Sequence, residues 1–151
     1  MDYRANLRGL SLPGAIELSG NALFVKRRIV DITGIAPARS DGVIGDPKFS
    51  GQLNIRYLLT HFGANTSINF VGKQLFSRQA RTPDSREFDH LRPYALINAG
   101  VFFDVSKQYR LSFAVSNVFN RTGQEYNGVI TPASYDDLYG RRYAATVRVK
   151  I

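Results

Sequence analysis

The chain has 151 residues, with 20 Lys and Arg against 12 Asp and Glu and a formal net charge of +8. Charged residues make up 21% and hydrophobic residues 44%, a balance that excludes an acidic or low-complexity disordered chain. With no cysteine there is no disulfide framework, no thiolate zinc site and no cysteine nucleophile, and His61 and His90 alone are too few for a His-rich metal cluster. No window reaches the roughly 18 to 20 uninterrupted apolar residues of a membrane helix. The start, Met1-Asp2-Tyr3-Arg4-Ala5-Asn6, lacks the basic-then-apolar opening of a secretory signal. Taken alone, these facts suggest a soluble cytoplasmic protein; they do not exclude a membrane β-barrel, whose alternating strands escape hydropathy windows.

Along the chain, period two dominates. Tyr3, Ala5, Leu7 and Gly9 oppose Arg4, Asn6 and Arg8. Ile16, Leu18, Gly20, Ala22 and Phe24 oppose Glu17, Ser19, Asn21 and Leu23. Leu53, Ile55, Tyr57 and Leu59 oppose Gln52, Asn54, Arg56 and Leu58, and Thr66, Ile68 and Phe70 oppose Ser67 and Asn69. Ala95, Ile97, Ala99, Val101 and Phe103 alternate with a more mixed set, Tyr94, Leu96, Asn98, Gly100 and Phe102. Leu111, Phe113 and Val115 alternate with Arg110, Ser112, Ala114 and Ser116. The clearest case is last: Tyr143, Ala145, Val147, Val149 and Ile151 against Arg142, Ala144, Thr146, Arg148 and Lys150. The pattern predicts seven strands of roughly 8 to 15 residues, with no helical stripe anywhere.

The connections alternate too. Leu12-Pro13-Gly14, His61-Phe62-Gly63-Ala64 and Ser106-Lys107-Gln108 read as short turns. Between them lie long polar connections over about 32–50, 78–91 and 120–140, rich in Gly, Pro, Asp and Arg. A membrane barrel has tight turns on one rim and long outward loops on the other; a sandwich has no reason to alternate in this way. Aromatic residues, 8 Tyr and 10 Phe with no Trp, include several near strand ends (Tyr3, Phe24, Phe76, Phe103, Tyr143), as barrel girdles require.

Leu111-Ser112-Phe113-Ala114-Val115-Ser116-Asn117-Val118-Phe119-Asn120-Arg121 resembles the penultimate strand of TonB-dependent outer-membrane receptors, which typically ends in an Asn-hydrophobic-Phe-Asn/Asp run. Gly140-Arg141-Arg142-Tyr143-Ala144-Ala145-Thr146-Val147-Arg148-Val149-Lys150-Ile151 resembles their last strand, and Thr122-Gly123-Gln124-Glu125-Tyr126 the start of their final outward loop. The resemblance is specific over about 92–151 and extends as strand rhythm over 1–91. It implies an all-β fold, an antiparallel transmembrane β-barrel segment made of the last seven strands of a 22-stranded barrel, which alone would be a curved open sheet. Residues 1–151 would then be the C-terminal portion of the barrel, with the plug domain, the earlier strands, the signal peptide and the TonB-contacting segment lying outside the chain. The family resides in the Gram-negative outer membrane and imports scarce ligands such as metal chelates, vitamins or sugars, driven by an inner-membrane complex whose TonB protein pulls on the receptor's N-terminal segment.

Several expectations follow from the resemblance. The partners implied are the remaining strands and the plug, the TonB complex through the N-terminal segment only, the barrel-assembly machinery, and outer-membrane lipid and lipopolysaccharide. Tyr143, Val147, Val149 and Ile151 form the expected assembly signal, with Ile151 standing where the family usually has Phe. The outward loops offer Arg78, Arg81, Arg86, Tyr126, Asn127 and Tyr135 as ligand-facing residues. On the outward rim, Lys26, Arg27, Arg28, Arg141 and Arg142 are candidates for lipopolysaccharide phosphate through charge-assisted hydrogen bonds; the plainer reading is a solvated loop face, because acidic residues such as Asp41, Asp46 and Asp84 share those loops. Glu17, Asn54, Arg56, Asn69, Lys73 and Arg148 are expected on the interior face.

Other chemistries are poorly supported. Lys26-Arg27-Arg28 has no surrounding stacking motif, so nucleic acid is not an expected partner. Asp89, His90, Ser77 and Ser85 lack a Gly-x-Ser-x-Gly elbow, and Asp136-Asp137 lacks metal-ligand spacing. No enzyme activity and no cofactor are expected. Two alternatives remain: a complete eight-stranded membrane barrel, which needs an eighth strand over Glu125–Ile130, and a soluble β-barrel with an apolar interior that binds a small apolar ligand.

Overall fold

The structure is a computed structural model that describes residues 2–7, 13–31, 34, 37–75, 90–122, 124–126, 129–131 and 139–150. Seven strands follow the predicted rhythm: β1 (Asp2–Leu7), β2 (Ala15–Phe24), β3 (Phe49–Leu58), β4 (Phe62–Val71), β5 (Tyr94–Asp104), β6 (Tyr109–Ser116) and β7 (Arg142–Val149). They form one antiparallel sheet in chain order, each strand paired with the next, and the sheet is open, with β1 and β7 as its edges. Three short connections leave one end of the sheet. Three long ones, residues 25–48, 72–93 and 117–141, leave the other. Among the described residues no helix is long and apolar enough to cross a membrane, which says nothing of strands.

Register carries the alternation of single strands across the whole sheet, because directly opposed residues share a face. One row runs Leu18, Ile55, Thr66, Ala99, Val115 and Tyr143; another runs Leu53, Ile68 and Ile97. A third, toward the short turns, runs Ala64, Val101, Phe113 and Ala145. Thr66 is the only polar interruption in these rows. The opposite face runs Ser19, Asn54, Ser67 and Asn98, and Glu17, Arg56, Asn65 and Gly100. In the β1 register Tyr3, Ala5 and Leu7 stand opposite Gly20, Leu18 and Ile16.

The apolar face is uncovered. Phe24 and Tyr143 are each 72% exposed, Val147 64% and Phe113 52%. Among the described residues the buried large hydrophobics are Leu91 and Leu96, whereas Asp41, Gln74 and Asn117 are buried polar groups. A water-soluble domain orders its residues the other way, since fully burying one large apolar side chain is worth roughly 1.5–3 kcal/mol. Aromatics mark both ends of the apolar face. Phe24 is opposite Phe49, whose ring lies 5.3 Å from that of Phe70, toward the long connections; the rings of Phe62 and Phe103 lie 4.9 Å apart toward the short turns.

Three expectations change in detail. Phe62 belongs to β4 rather than to a turn, because its pairing with Phe103 prolongs the ladder. The long connections begin earlier than expected, at residues 25, 72 and 117. Lys73 lies beyond the end of β4 and so is off the polar face of the sheet. The eighth strand that a complete small barrel needs is not in the sheet: Gln124–Tyr126 pairs with Val129–Thr131 as a separate two-stranded ribbon. Among the described residues, a hollow of about 550 Å³ lies on the polar face, lined by Glu17, Ser19, Asn54, Arg56, Asn65 and Ser67, which does not fit a soluble barrel with an apolar interior.

Candidate functional site

The long-connection end is the built part of the molecule. In the β2–β3 connection, Ile29–Val30 pairs with Ala38–Arg39 and brings charges together. Asp41 is fully buried and accepts the Arg39 fork, from Nε at 2.7 Å and Nη2 at 3.2 Å, together with the Arg28 backbone N–H at 3.2 Å. Lys48 Nζ stands 3.6 Å away. A buried carboxylate persists only when it is paired and hydrogen-bonded, and both conditions are met. The same carboxylate, by its hydrogen bond and then by its charge, holds the Arg39 guanidinium above its ordinary range.

Asp46 makes a second centre, accepting Arg28 Nη1 and Ser40 Oγ, each at 2.8 Å. This folded loop docks onto the next connection. Gly45 N–H donates to Gln74 Oε1 at 2.9 Å, Ile44 N–H to the Leu75 carbonyl at 3.0 Å and Leu75 N–H to the Gly42 carbonyl at 2.7 Å. Leu75 and Gln74 in turn pair with His90 and Leu91, the base of the β4–β5 connection. Two long connections are thereby fastened at their roots.

The third connection is closed by its asparagines. Asn117 and Asn120 both have left-handed backbones, φ 53° and 51°, which Asn tolerates better than most residues. Asn117 is buried; its side chain donates to the Arg121 carbonyl at 2.6 Å and accepts the Arg121 N–H at 2.8 Å. Its own N–H donates to Asn98 Oδ1, and Asn98 Nδ2 donates to Ser67 Oγ, tying β4, β5 and the end of β6 in one polar line. Asn120 Oδ1 accepts the Arg141 N–H at 2.8 Å, so the far end of the loop returns to its start. Gly140, at φ 63°, lies against that same oxygen, where a Cβ would collide. The Asn-Val-Phe-Asn run is thus a corner that shuts the loop before β7.

The sequence-predicted residues distribute unevenly over this rim. Lys26 and Arg27 are exposed just past β2. Arg28 is engaged by Asp46, Arg141 reaches the Tyr143 hydroxyl at 3.4 Å, and Arg142 lies 5.7 Å over the Tyr139 ring. Tyr126 lies in the short ribbon, and Arg78, Arg81, Arg86, Asn127 and Tyr135 fall outside the described residues. Tyr143, Val147 and Val149 stand exposed on the apolar face of β7; Ile151 is outside the described residues. Of the imagined hydrolytic set, only His90 is described, in its pairing with Leu75. Among the described residues no three His, Asp or Glu side chains gather as a metal-holding group.

The polar face adds two features. Toward the middle of the sheet, Glu17 and Arg56 pair at 3.5 Å beside Asn54, Asn65 and Ser67 in the hollow of about 550 Å³. Toward the short turns, the Phe102 ring covers Gly63, where any Cβ would overlap it, and Arg110 lies 4.2 Å over the same ring while bonding Asp104. The role of Asp41 was not foreseen from sequence, nor were the Asn117 corner and the Phe102–Arg110 stack. The nearest signals were the Asp41-Gly42 turn pair and the two asparagines three residues apart.

No family model matches the chain, and no curated protein matches it. Among solved structures, a crystal structure of a point mutant of the ferric enterobactin receptor from Pseudomonas aeruginosa is similar, with a TM-score of 0.52 and 16% identity. The match covers 97% of this chain and 21% of the receptor chain, so this chain spans about a fifth of the length of the protein it resembles. At that identity the likeness is one of fold: an all-β, antiparallel, curved open sheet that follows one stretch of that receptor.

Proposed function

We propose that the chain is the C-terminal part of the β-barrel of a TonB-dependent outer-membrane receptor, supplying barrel wall and outward loops for energised uptake of a scarce ligand. The observation that carries the reading is the apolar face shared by β2 to β7, on which Phe24, Phe49, Leu53, Phe103, Phe113, Tyr143 and Val147 are exposed, backed by a polar face. Lipid is the medium in which such a face is stable. The alternation of short and long connections, the aromatics at both ends and the fold likeness to a ferric enterobactin receptor support the same reading. The loops, through Arg78, Arg81, Arg86, Tyr126, Asn127 and Tyr135, would meet ligand; the rim cations Lys26, Arg27, Arg28, Arg141 and Arg142 would meet lipopolysaccharide phosphate; and the β7 face with Ile151 would be read during assembly.

The two edges define what else is needed. In hydrocarbon an unpaired N–H or C=O costs several kcal/mol, and each edge strand presents a row of them. Transport therefore belongs to a closed assembly in which further strands pair with β1 and β7 and a plug fills the lumen. The chain on its own would close only by pairing its edges with other copies.

The chain contains no Trp, so a single introduced Trp reports one position without background. Phe113→Trp and Val147→Trp are expected to be quenched by vesicles with brominated acyl chains. Ser112→Trp and Thr146→Trp, one residue away on the other face, are expected to escape. Equal quenching on both faces, or none on either, would falsify the reading.

A further inference from the structure

The polar face carries an excess of positive charge at its short-turn end, where Lys107, Arg110, Arg148 and Lys150 meet a single carboxylate, Asp104. Register places Asp104, Arg110 and Arg148 side by side on β5, β6 and β7, and Lys150 follows two residues after Arg148. Arg110 bonds both Asp104 oxygens, from Nε at 2.6 Å and Nη2 at 2.8 Å, and the same carboxylate acts more weakly on Lys150 and His61 through its charge. Arg148 therefore faces a second arginine directly across the ladder, an arrangement that repels unless an anion relieves it. Lys107 from the β5–β6 turn and His61 from the β3–β4 turn border the same hollow, of about 420 Å³. Among the described residues no carboxylate forms an ion pair with Lys107, Arg148 or Lys150, which leaves Asp104 as the one acidic group lining the hollow.

The backbone says what kind of anion fits. Phosphate cradles converge free backbone N–H groups on one point. Here the N–H groups of Gln108 and Tyr109 are taken by Ser106 Oγ, those of Val105 and Ser106 by the Tyr109 carbonyl, and that of Lys150 by the Gln108 carbonyl. Of the turn's N–H groups only that of Lys107 is left, so side chains supply nearly all the donors, and they stand on separate elements around the hollow. Several spaced carboxylates suit this layout better than one compact phosphate.

We propose that this hollow is a docking site for an acidic polypeptide segment, whose Asp or Glu carboxylates pair with Lys107 on one side and with Arg148 and Lys150 on the other. The segment lies on the polar face and does not extend the sheet along the β7 edge. Whether the apolar face meets lipid is a separate matter, and the test keeps the two apart.

The test uses the full chain in detergent micelles, which cover the apolar face, with sheet content followed by far-ultraviolet circular dichroism. Fluorescein-labelled hexaglutamate is the probe and hexaglutamine the control, read by anisotropy. Hexaglutamate is expected to bind, weakening as salt rises, and the double variant Arg148→Gln/Lys150→Gln is expected to bind about tenfold more weakly. The charge-matched double variant Lys73→Gln/Arg121→Gln, at the opposite end of the sheet, is expected to leave binding unchanged. Carbodiimide coupling followed by peptide mapping is expected to join the probe to both Lys107 and Lys150. Coupling to Lys150 alone would mean a strand added at the β7 edge and would overturn the proposal, as would equal binding of hexaglutamine or displacement by equimolar inorganic phosphate. Sheet content without hexaglutamate binding overturns this proposal and leaves the membrane reading in place.

Discussion

The two faces of the sheet share one hydrogen-bonded ladder yet are held by different chemistry. On the apolar face the described side-chain contacts are ring against ring, Phe49 with Phe70 and Phe62 with Phe103, with two polar exceptions, the Tyr57 hydroxyl donating to the Pro13 carbonyl and the Arg141 guanidinium donating to the Tyr143 hydroxyl. On the polar face they are charge and amide pairs, Glu17 with Arg56, Asn98 with Ser67, Arg110 with Asp104. The ladder would accept a slip of one residue at any pair of strands. The side chains would not, because a slip carries every apolar residue of a strand to the other face. Register is therefore specified by the need to keep two incompatible media apart. The sharpest way to break that comparison is to put the same charge on each face in turn. On the proposed membrane reading, Val147→Lys costs about 2–4 kcal/mol near the bilayer middle, while Thr146→Lys, on the other face, costs little. Urea titration in lipid vesicles measures both, and equal losses would refute the division.

A second contrast sets the sheet against the rim. The wall owes its order to a repeated pattern; the rim owes its order to a few singular residues, Asp41 foremost. Replacing Asp41 by Ala removes two arginine hydrogen bonds and the Arg28 N–H partner at once. Hydrogen bonds to charged groups are worth about 1.5–3 kcal/mol, and the lower part of that range applies because Arg39 and Lys48 are about half exposed and regain water. The expected loss is local. Amide exchange should quicken at Ile44 and Leu75, whose N–H groups join the two loops through the Leu75 and Gly42 carbonyls, and stay slow in β3 and β4. Uniform quickening across the sheet would mean that the rim supports the wall, against the contrast drawn here.

The Asn117 corner joins wall to rim, and its effect is smaller. Asn117→Ala loses two side-chain hydrogen bonds, keeps its N–H bond to Asn98 Oδ1, and must hold a left-handed backbone without Asn's tolerance, at about 1–2 kcal/mol. Asn117→Gly removes the same bonds but relieves the backbone. If Gly is less damaging than Ala in denaturant titration, the φ of 53° contributes; if the two are equal, the hydrogen bonds account for the whole effect.

The wall was legible in the sequence because a period of two needs no knowledge of neighbours. Ala145, Val147 and Val149 declare their face whatever stands beside them, and seven such strands joined by alternating short and long connections leave few arrangements. The rim was not legible because its order depends on distant partners. Nothing around Asp41 in the sequence says that Arg28 and Lys48, 13 and 7 residues away, will converge on it and exclude water. Lys26-Arg27-Arg28 reads as one basic run, yet only the third residue is drawn into the fold. Phe102 was equally hidden: its face is clear from alternation, but its fit over Gly63 depends on the register between β4 and β5.

That basic run gives the finest test of the contrast, since three consecutive cations are divided between surface and fold. Arg28 bonds Asp46 at 2.8 Å and gives its N–H to Asp41, while Arg27 stands free of both carboxylates. Arg28→Gln should loosen the 40–46 loop by about 0.2–1 kcal/mol, the ordinary worth of a half-exposed ion pair, and amide exchange at Asp46 should report it. Arg27→Gln should leave that exchange untouched and instead weaken association with phosphate-bearing vesicles, more at low salt than at high. If the two substitutions prove interchangeable in both measurements, the rim is a diffuse field of positive charge. If they separate, its order comes from individual pairs, and the residues left over, Lys26 and Arg27, are the ones available to a partner.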